Sequence, residues 1–195
     1  MKKKAMELSV NFLVILIMSL IVFGSGIALV NKFFAHAEVR QEQLDQETVS
    51  AIEELLNDGD MVAIPVNKKN FKIGDQKIFG VGIYNTEQDT KNFSVQVLCK
   101  NAYHLDGSKM VDGTGATADF DSDTLNEDWH FFNDTRNYTI DRNKYETVEV
   151  LIEASPKAGP GMSTKDGLYV FDVNVSLDGK LYDGHIHKLY VEVED

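Results

Sequence analysis

Cysteine is all but missing from this 195-residue chain, and proline is scarce: one Cys and three Pro. With Cys99 alone, no intrachain disulfide can form, so the fold must rest on packing. No Cys/His framework for zinc exists either. Cys99 ends the apolar run 95–99, the setting of a buried core thiol. Basic residues are also few, 19 against 31 acidic, for a formal net charge of -12. Lys2, Lys3 and Lys4 stand together at the N-terminus, so the remainder is more acidic still. Such a surface lacks the clustered Lys and Arg that nucleic acid requires, and nucleic acid is excluded as a partner. Its acidity serves solubility. No glycine-rich phosphate loop follows a strand pattern, no serine sits in a nucleophile elbow, and no carboxylate pair stands out from its neighbours. The expectation is a protein that is not an enzyme.

Charge is absent altogether from Leu8 to Val30. That run is long enough to cross a bilayer core of ~30 Å as a helix. The preceding lysines favour the cytoplasm. The sequence therefore predicts a cytoplasmic tip (1–7), a transmembrane helix (8–30) and a single-pass protein of the cell membrane with its C-terminal part outside. Ala35-His36-Ala37 offers the alternative of signal-peptide cleavage, but the apolar run exceeds the usual signal length. Residues 31–57 lack Pro and Gly, and Leu44, Thr48, Ile52 and Leu55 recur at helical spacing, with Val49 and Leu56 widening the stripe. This predicts an amphipathic stalk helix that either packs on the following domain or pairs with a neighbouring subunit. Asp58-Gly59-Asp60 ends it.

From Met61 the period changes to two. Val62, Ile64 and Val66 alternate, with Pro65 marking an edge strand. Phe79, Val81 and Ile83 form one face, with Gly80 and Gly82 on the other. Phe93, Val95 and Val97, then Val148, Val150 and Ile152, then Tyr169, Phe171, Val173 and Val175, then Leu189, Val191 and Val193 repeat the pattern. Asp178-Gly179 is a hairpin signal. The fold class predicted is mainly β, an antiparallel sandwich over residues 58–195 behind a long N-terminal transmembrane and stalk helix. Between residues 101 and 145 the alternation fails, which predicts an irregular insertion with one or two short strands.

Two resemblances follow from these residues. Phe71-Lys72-Ile73-Gly74-Asp75 with Phe79-Gly80-Val81-Gly82-Ile83-Tyr84-Asn85, and Gly167–Val173 with Tyr190-Val191-Glu192-Val193, resemble strands of immunoglobulin-like modules of prokaryotic (archaeal) surface proteins. The resemblance implies a cell-surface β-sandwich with a structural or adhesive role, whose partners are the membrane, other envelope proteins or copies of itself through the N-terminal helix. Lys2-Lys3-Lys4-Ala5-Met6-Glu7-Leu8 resembles the leader of a type IV pilin, which implies processing after Ala5 and a filament subunit or accessory component. Glu7 follows Ala5 by two positions, where the bacterial family has five.

Candidate sites are few. Asp119, Asp121 and Asp123 alternate and could supply oxygen ligands to calcium, the one cofactor considered. As an EF-hand loop the segment fails at Thr124 and His130. His185 and His187 with Asp183 could chelate a metal but lack a visible third ligand. Asn92, Asn133, Asn137 and Asn174 each begin an N-x-Ser/Thr tripeptide, an acceptor for N-glycosylation. Trp129, Phe131 and Phe132 in the insertion are candidates for an interaction surface, or for caps on the end of the core.

Overall fold

The computed structural model describes residues 12, 14–18, 44–130 and 135–194. Two compact units are distinguished, Met1–Gln41 and Glu42–Asp195. In the first, residues 12 and 14–18 are helical. Ala5 and the rest of the leader lie outside the described residues.

The long N-terminal membrane and stalk helix is corrected here. Among the described residues no helix is long and apolar enough to cross a membrane. The amphipathic stripe belongs to a separate helix of 12 residues, α1 (Gln46–Asn57). Asp45 explains where it begins. Its backbone is extended and its side chain accepts the Thr48 N–H at 2.6 Å, which caps an otherwise unpaired donor. Of the two expected uses of the stripe, packing on the following domain is the one seen: Thr48, Ile52 and Leu56 are buried, and α1 belongs to the unit Glu42–Asp195.

The strands of this unit build a β-sandwich. Its small sheet has the order β1-β3-β6, from β1 (Val62–Ala63), β3 (Gln76–Tyr84) and β6 (Tyr145–Glu153). Its large sheet has the order β2-β11-β9-β4-β5. Those strands are β2 (Lys68–Phe71), β4 (Lys91–Tyr103), β5 (Arg136–Ile140), β9 (Gly167–Leu177) and β11 (His187–Val193), with β10 (Lys180–Leu181) pairing β9. All neighbours are antiparallel except β2, which runs parallel to β11. A further hairpin joins β7 (Lys157–Gly159) to β8 (Met162–Ser163). Asp178 and Gly179 both have positive φ, 50° and 77°, as the two-residue turn between β9 and β10 requires.

Alternation places the core. Phe79, Val81, Ile83, Val148 and Val150 of the small sheet share one buried cluster with Phe93, Val95, Val97, Phe171, Val173 and Val191 of the large sheet. Cys99 is fully buried there and free, and burial pushes its thiol pKa up, so it is an unreactive core residue. Tyr182 ties the sheets at one end. Its hydroxyl donates to the Tyr84 carbonyl and accepts the Thr86 N–H, both at 2.9 Å.

The insertion contributes several side chains to the core. It contains α2 (Ser122–Asp128) and β5, and it buries Met110, Phe120, Leu125 and Trp129. Of the two readings offered for Trp129, the core is where the side chain lies and not an interaction surface. Its indole is fully buried against Tyr169 and Phe171, with ring centroids 4.7 and 6.3 Å away, and its N–H donates to the Lys157 carbonyl at 3.0 Å. A ring of that size gains more from burial beside two aromatics than from exposure. Phe131 and Phe132 lie outside the described residues.

Candidate functional site

The two sheets treat their outer faces differently, and that difference creates the site. On the small sheet, Gly80 and Gly82 leave a flat seat for α1. A Cβ at Gly82 would stand 2.3 Å from Ile52 Cγ2, and one at Gly80 would stand 2.8 Å from Ile52 Cδ1 and Leu44 Cδ2. The glycines are there for close approach, and the helix seals that face.

On the large sheet, alternation turns Ser94 and Gln96 of β4 outward, because Phe93, Val95 and Val97 are buried. Asn174 and Ser176 of β9 point out for the same reason. Register then sets them side by side. Gln96 pairs with Asn174, Ser94 with Ser176 on one flank and Asn137 on the other, and Asn92 with Thr139. Asn92, Asn137 and Thr139 are exposed, and Ser94, Gln96, Asn174 and Ser176 half-buried. The result is a patch of hydroxyls and carboxamides without charge. Charge on the same sheet begins two residues along β9, where Asp172 meets Lys188 of β11 at 2.6 Å, and continues towards β2, where Lys68 meets Glu192 at 2.9 Å.

Part of the patch is concave. A groove of ≈ 380 Å³ is floored by Ser94, Gln96, Asn174 and Ser176 and walled by Thr135, Gly179, Leu181 and Ile186. Ile186 is 49% exposed and forms an apolar ledge. Asn174 Oδ1 is shut off from solvent and has no hydrogen-bond partner. A buried acceptor left unpaired costs roughly 1–3 kcal/mol, so this atom marks a place where polar chemistry is held at a cost to stability.

Three of the expected glycosylation tripeptides meet on this face. In a strand, Asn and the hydroxyl two residues on share one side, so Asn92, Asn137 and Asn174 stand in one field with their Ser or Thr partners. Asn92 and Asn137 are exposed, Asn174 is half-buried, and Asn133 lies outside the described residues. Gln96, Thr135 and Ile186 went unremarked in the sequence. The signal that could have found the first is the outward pair Ser94-x-Gln96 with no charge.

The remaining candidates are placed as follows. Asp119 is engaged with Val111 and Lys165, whereas Asp121 and Asp123 both lie at the start of α2. Asp119 accepts the Val111 N–H at 2.8 Å and bonds Lys165 Nζ at 2.6 Å, and that Lys165 bond holds its carboxyl below the usual range. Asp121 sits at the start of α2 and accepts the Thr124 hydroxyl at 2.8 Å. Asp123 is exposed in the first turn of α2. His185 and His187 line a cleft of ≈ 500 Å³ with Asp60, Asn67, Asp183 and Lys188. Asp183 and the two histidines engage one another. His187 Nε2 lies 2.6 Å from Asp183 Oδ2, and Asp183 Oδ1 accepts the His185 N–H at 3.0 Å. Among the described residues no group of three or more His, Cys, Asp or Glu is gathered to hold a metal.

No protein-family model matches the chain, and no curated protein is significantly similar in sequence. Solved structures with a partly similar fold include a family 123 glycoside hydrolase from Clostridium perfringens, at 14% identity over 75% of this chain and 25% of that one, TM-score 0.42. The chain thus spans about a quarter of that enzyme's length. They also include the ASH/PapD-like domain of human CEP192 (11% identity, 69% of this chain, 84% of that one, TM-score 0.35) and the class 5 fimbriae chaperone CfaA (14%, 67% and 54%, TM-score 0.36). Similarity this low carries no functional argument, and the reading below rests on the chain itself.

Proposed function

We propose that the sandwich is a non-enzymatic recognition module of the cell surface, and that it contacts surface polymer or envelope proteins through the outer face of its large sheet. The observation that supports this is the asymmetry of the two faces. One is sealed by α1, and the other presents an uncharged polar field on a protein of net charge -12. Contiguous polar field without charge is what a face needs if it is to bind without repelling or being repelled.

A membrane-impermeant biotinylation reagent applied to intact cells tests the location. The exposed lysines of the sandwich, Lys68 among them, are expected to be labelled before lysis. Protection until lysis would overturn the surface reading. Co-sedimentation of the full chain with purified envelope, lowered by the double substitution Ser94→Glu and Asn137→Glu, tests the face. The pilin-like alternative rests on the leader resemblance, and a mature N-terminus at Met6 with the protein in sheared filaments would establish it in place of the first reading.

A further inference from the structure

We propose that the groove floored by Ser94, Gln96, Asn174 and Ser176 is a subsite for a neutral saccharide unit. This rests on the surface-module reading and names its ligand.

The chemistry of the lining selects the class. Ser94, Ser176 and Thr135 supply hydroxyls, and Gln96 and Asn174 supply carboxamides, so each of these groups both donates and accepts. Sugar hydroxyls do the same. Among the described residues no charged side chain lines the groove, so a phosphate, a uronate or an ionic peptide would find no counter-ion there. Leu181 and exposed Ile186 give an apolar wall for the C–H face of a pyranose ring. The volume of ≈ 380 Å³ falls in the lower part of the range of about 300–1,000 Å³ typical of ligand sites.

The strands leave little room for a peptide added to the sheet at the groove floor. β4 and β9 pair with each other there, β5 covers the other side of β4 over Lys91–Val95, and β10 covers β9 at Ser176 and Leu177, so the floor offers mainly side-chain heads. Asn174 supplies an independent pointer. Its Oδ1 is buried without a donor, and the terminal torsion of a carboxamide is soft. A ligand hydroxyl entering the groove can be met by rotation of that amide without backbone change.

The saccharide could come from a free surface polysaccharide or from a glycan attached at Asn92 or Asn137 on the same face. The test separates these. Full-length chain made in a host without N-glycosylation is titrated calorimetrically with neutral hexasaccharides of glucose, mannose and N-acetylglucosamine, and with oligogalacturonate as the charged control. At least one neutral probe is expected to bind and the charged one not. Gln96→Ala and Asn174→Val should each weaken binding tenfold or more. Asn174→Val should melt no lower than the parent, so its lost binding is not lost folding. Absence of binding by all neutral probes, equal binding of galacturonate, or binding that survives both substitutions would overturn the subsite. If envelope co-sedimentation persists in any of those cases, the module reading stands and only its ligand falls. Protein from the native host that takes up added sugar only after Asn92→Gln and Asn137→Gln would support the subsite and assign the attached glycan as its occupant.

Discussion

The outer faces of the two sheets are built from the same alternating code and end in opposite states. On β3 the outward positions are Gly80 and Gly82, and a helix lies on them. On β4 and β9 they are Ser94, Gln96, Asn174 and Ser176, and polar heads stand in the groove. The lesson is that the size of the outward residue decides what a face can receive. Removing the side chain admits a whole helix, with Ile52 fully buried. Keeping a short polar one leaves a shallow concavity that only small polar groups fit.

The sharpest way to break this comparison is to refill the seat. Gly82→Leu drives a branched side chain into Ile52 and Leu56, and should lower stability by about 3 kcal/mol in urea denaturation. Ser94→Val, at an outward position of the open sheet, should stay within about 0.5 kcal/mol of the parent. Equal effects at the two positions would erase the distinction between a sealed and an open face.

Acid probes what lies beneath both faces. His130 is 3% exposed, bridges to Ile152 of the small sheet and sets its ring edge-on to Phe171 of the large one, 5.7 Å away. Burial depresses its pKa from 6.5 to about 4. The unfolded state therefore binds the proton first. The stability held by neutral His130 is complete above pH 6.5 and is lost as pH falls towards about 4, on the order of 3 kcal/mol at the limit. Urea midpoints from pH 7 to 4 measure it, and His130→Leu should flatten that segment of the curve. Ligand binding at the open face should show no such slope above pH 6.5, because no titratable group among the described residues lines its groove.

Smaller effects refine the picture. Asp45→Ala removes the cap that starts α1 and should lower the urea midpoint, with the loss confined to the sealed face and binding at the open one unchanged. Asn174→Val removes an unpaired buried acceptor and should raise stability by about 1 kcal/mol in the same assay. A drop there would mean that Asn174 is a structural residue of the sheet and not a group retained for the groove.

Much of this was legible beforehand. The outward glycines, the helical stripe of Leu44, Thr48, Ile52 and Leu56, and the Asp178-Gly179 turn all carry local signals within a few residues. The length of the helix was not legible from the stripe alone. The absence of Pro and Gly in 31–57 permitted a long helix, but Asp45 competes for the Thr48 N–H and starts a new one. Trp129 was ambiguous because an aromatic in an irregular segment reads alike as surface or core. Only its packing on Tyr169 and Phe171, residues 40 and 42 positions away in the sequence, decides for core.

By itself the sequence determined the β-sandwich class, the inward set of each main strand and the acidity of the whole, since periodicity and charge are properties of neighbouring residues. Tertiary structure alone decided that the stripe would seat on Gly80 and Gly82, and that Ser94, Gln96, Asn174 and Ser176 would meet. The second of these meetings joins segments some eighty residues apart, and pairing register at that distance is fixed by how the buried faces of both strands fill one core, which no local pattern encodes.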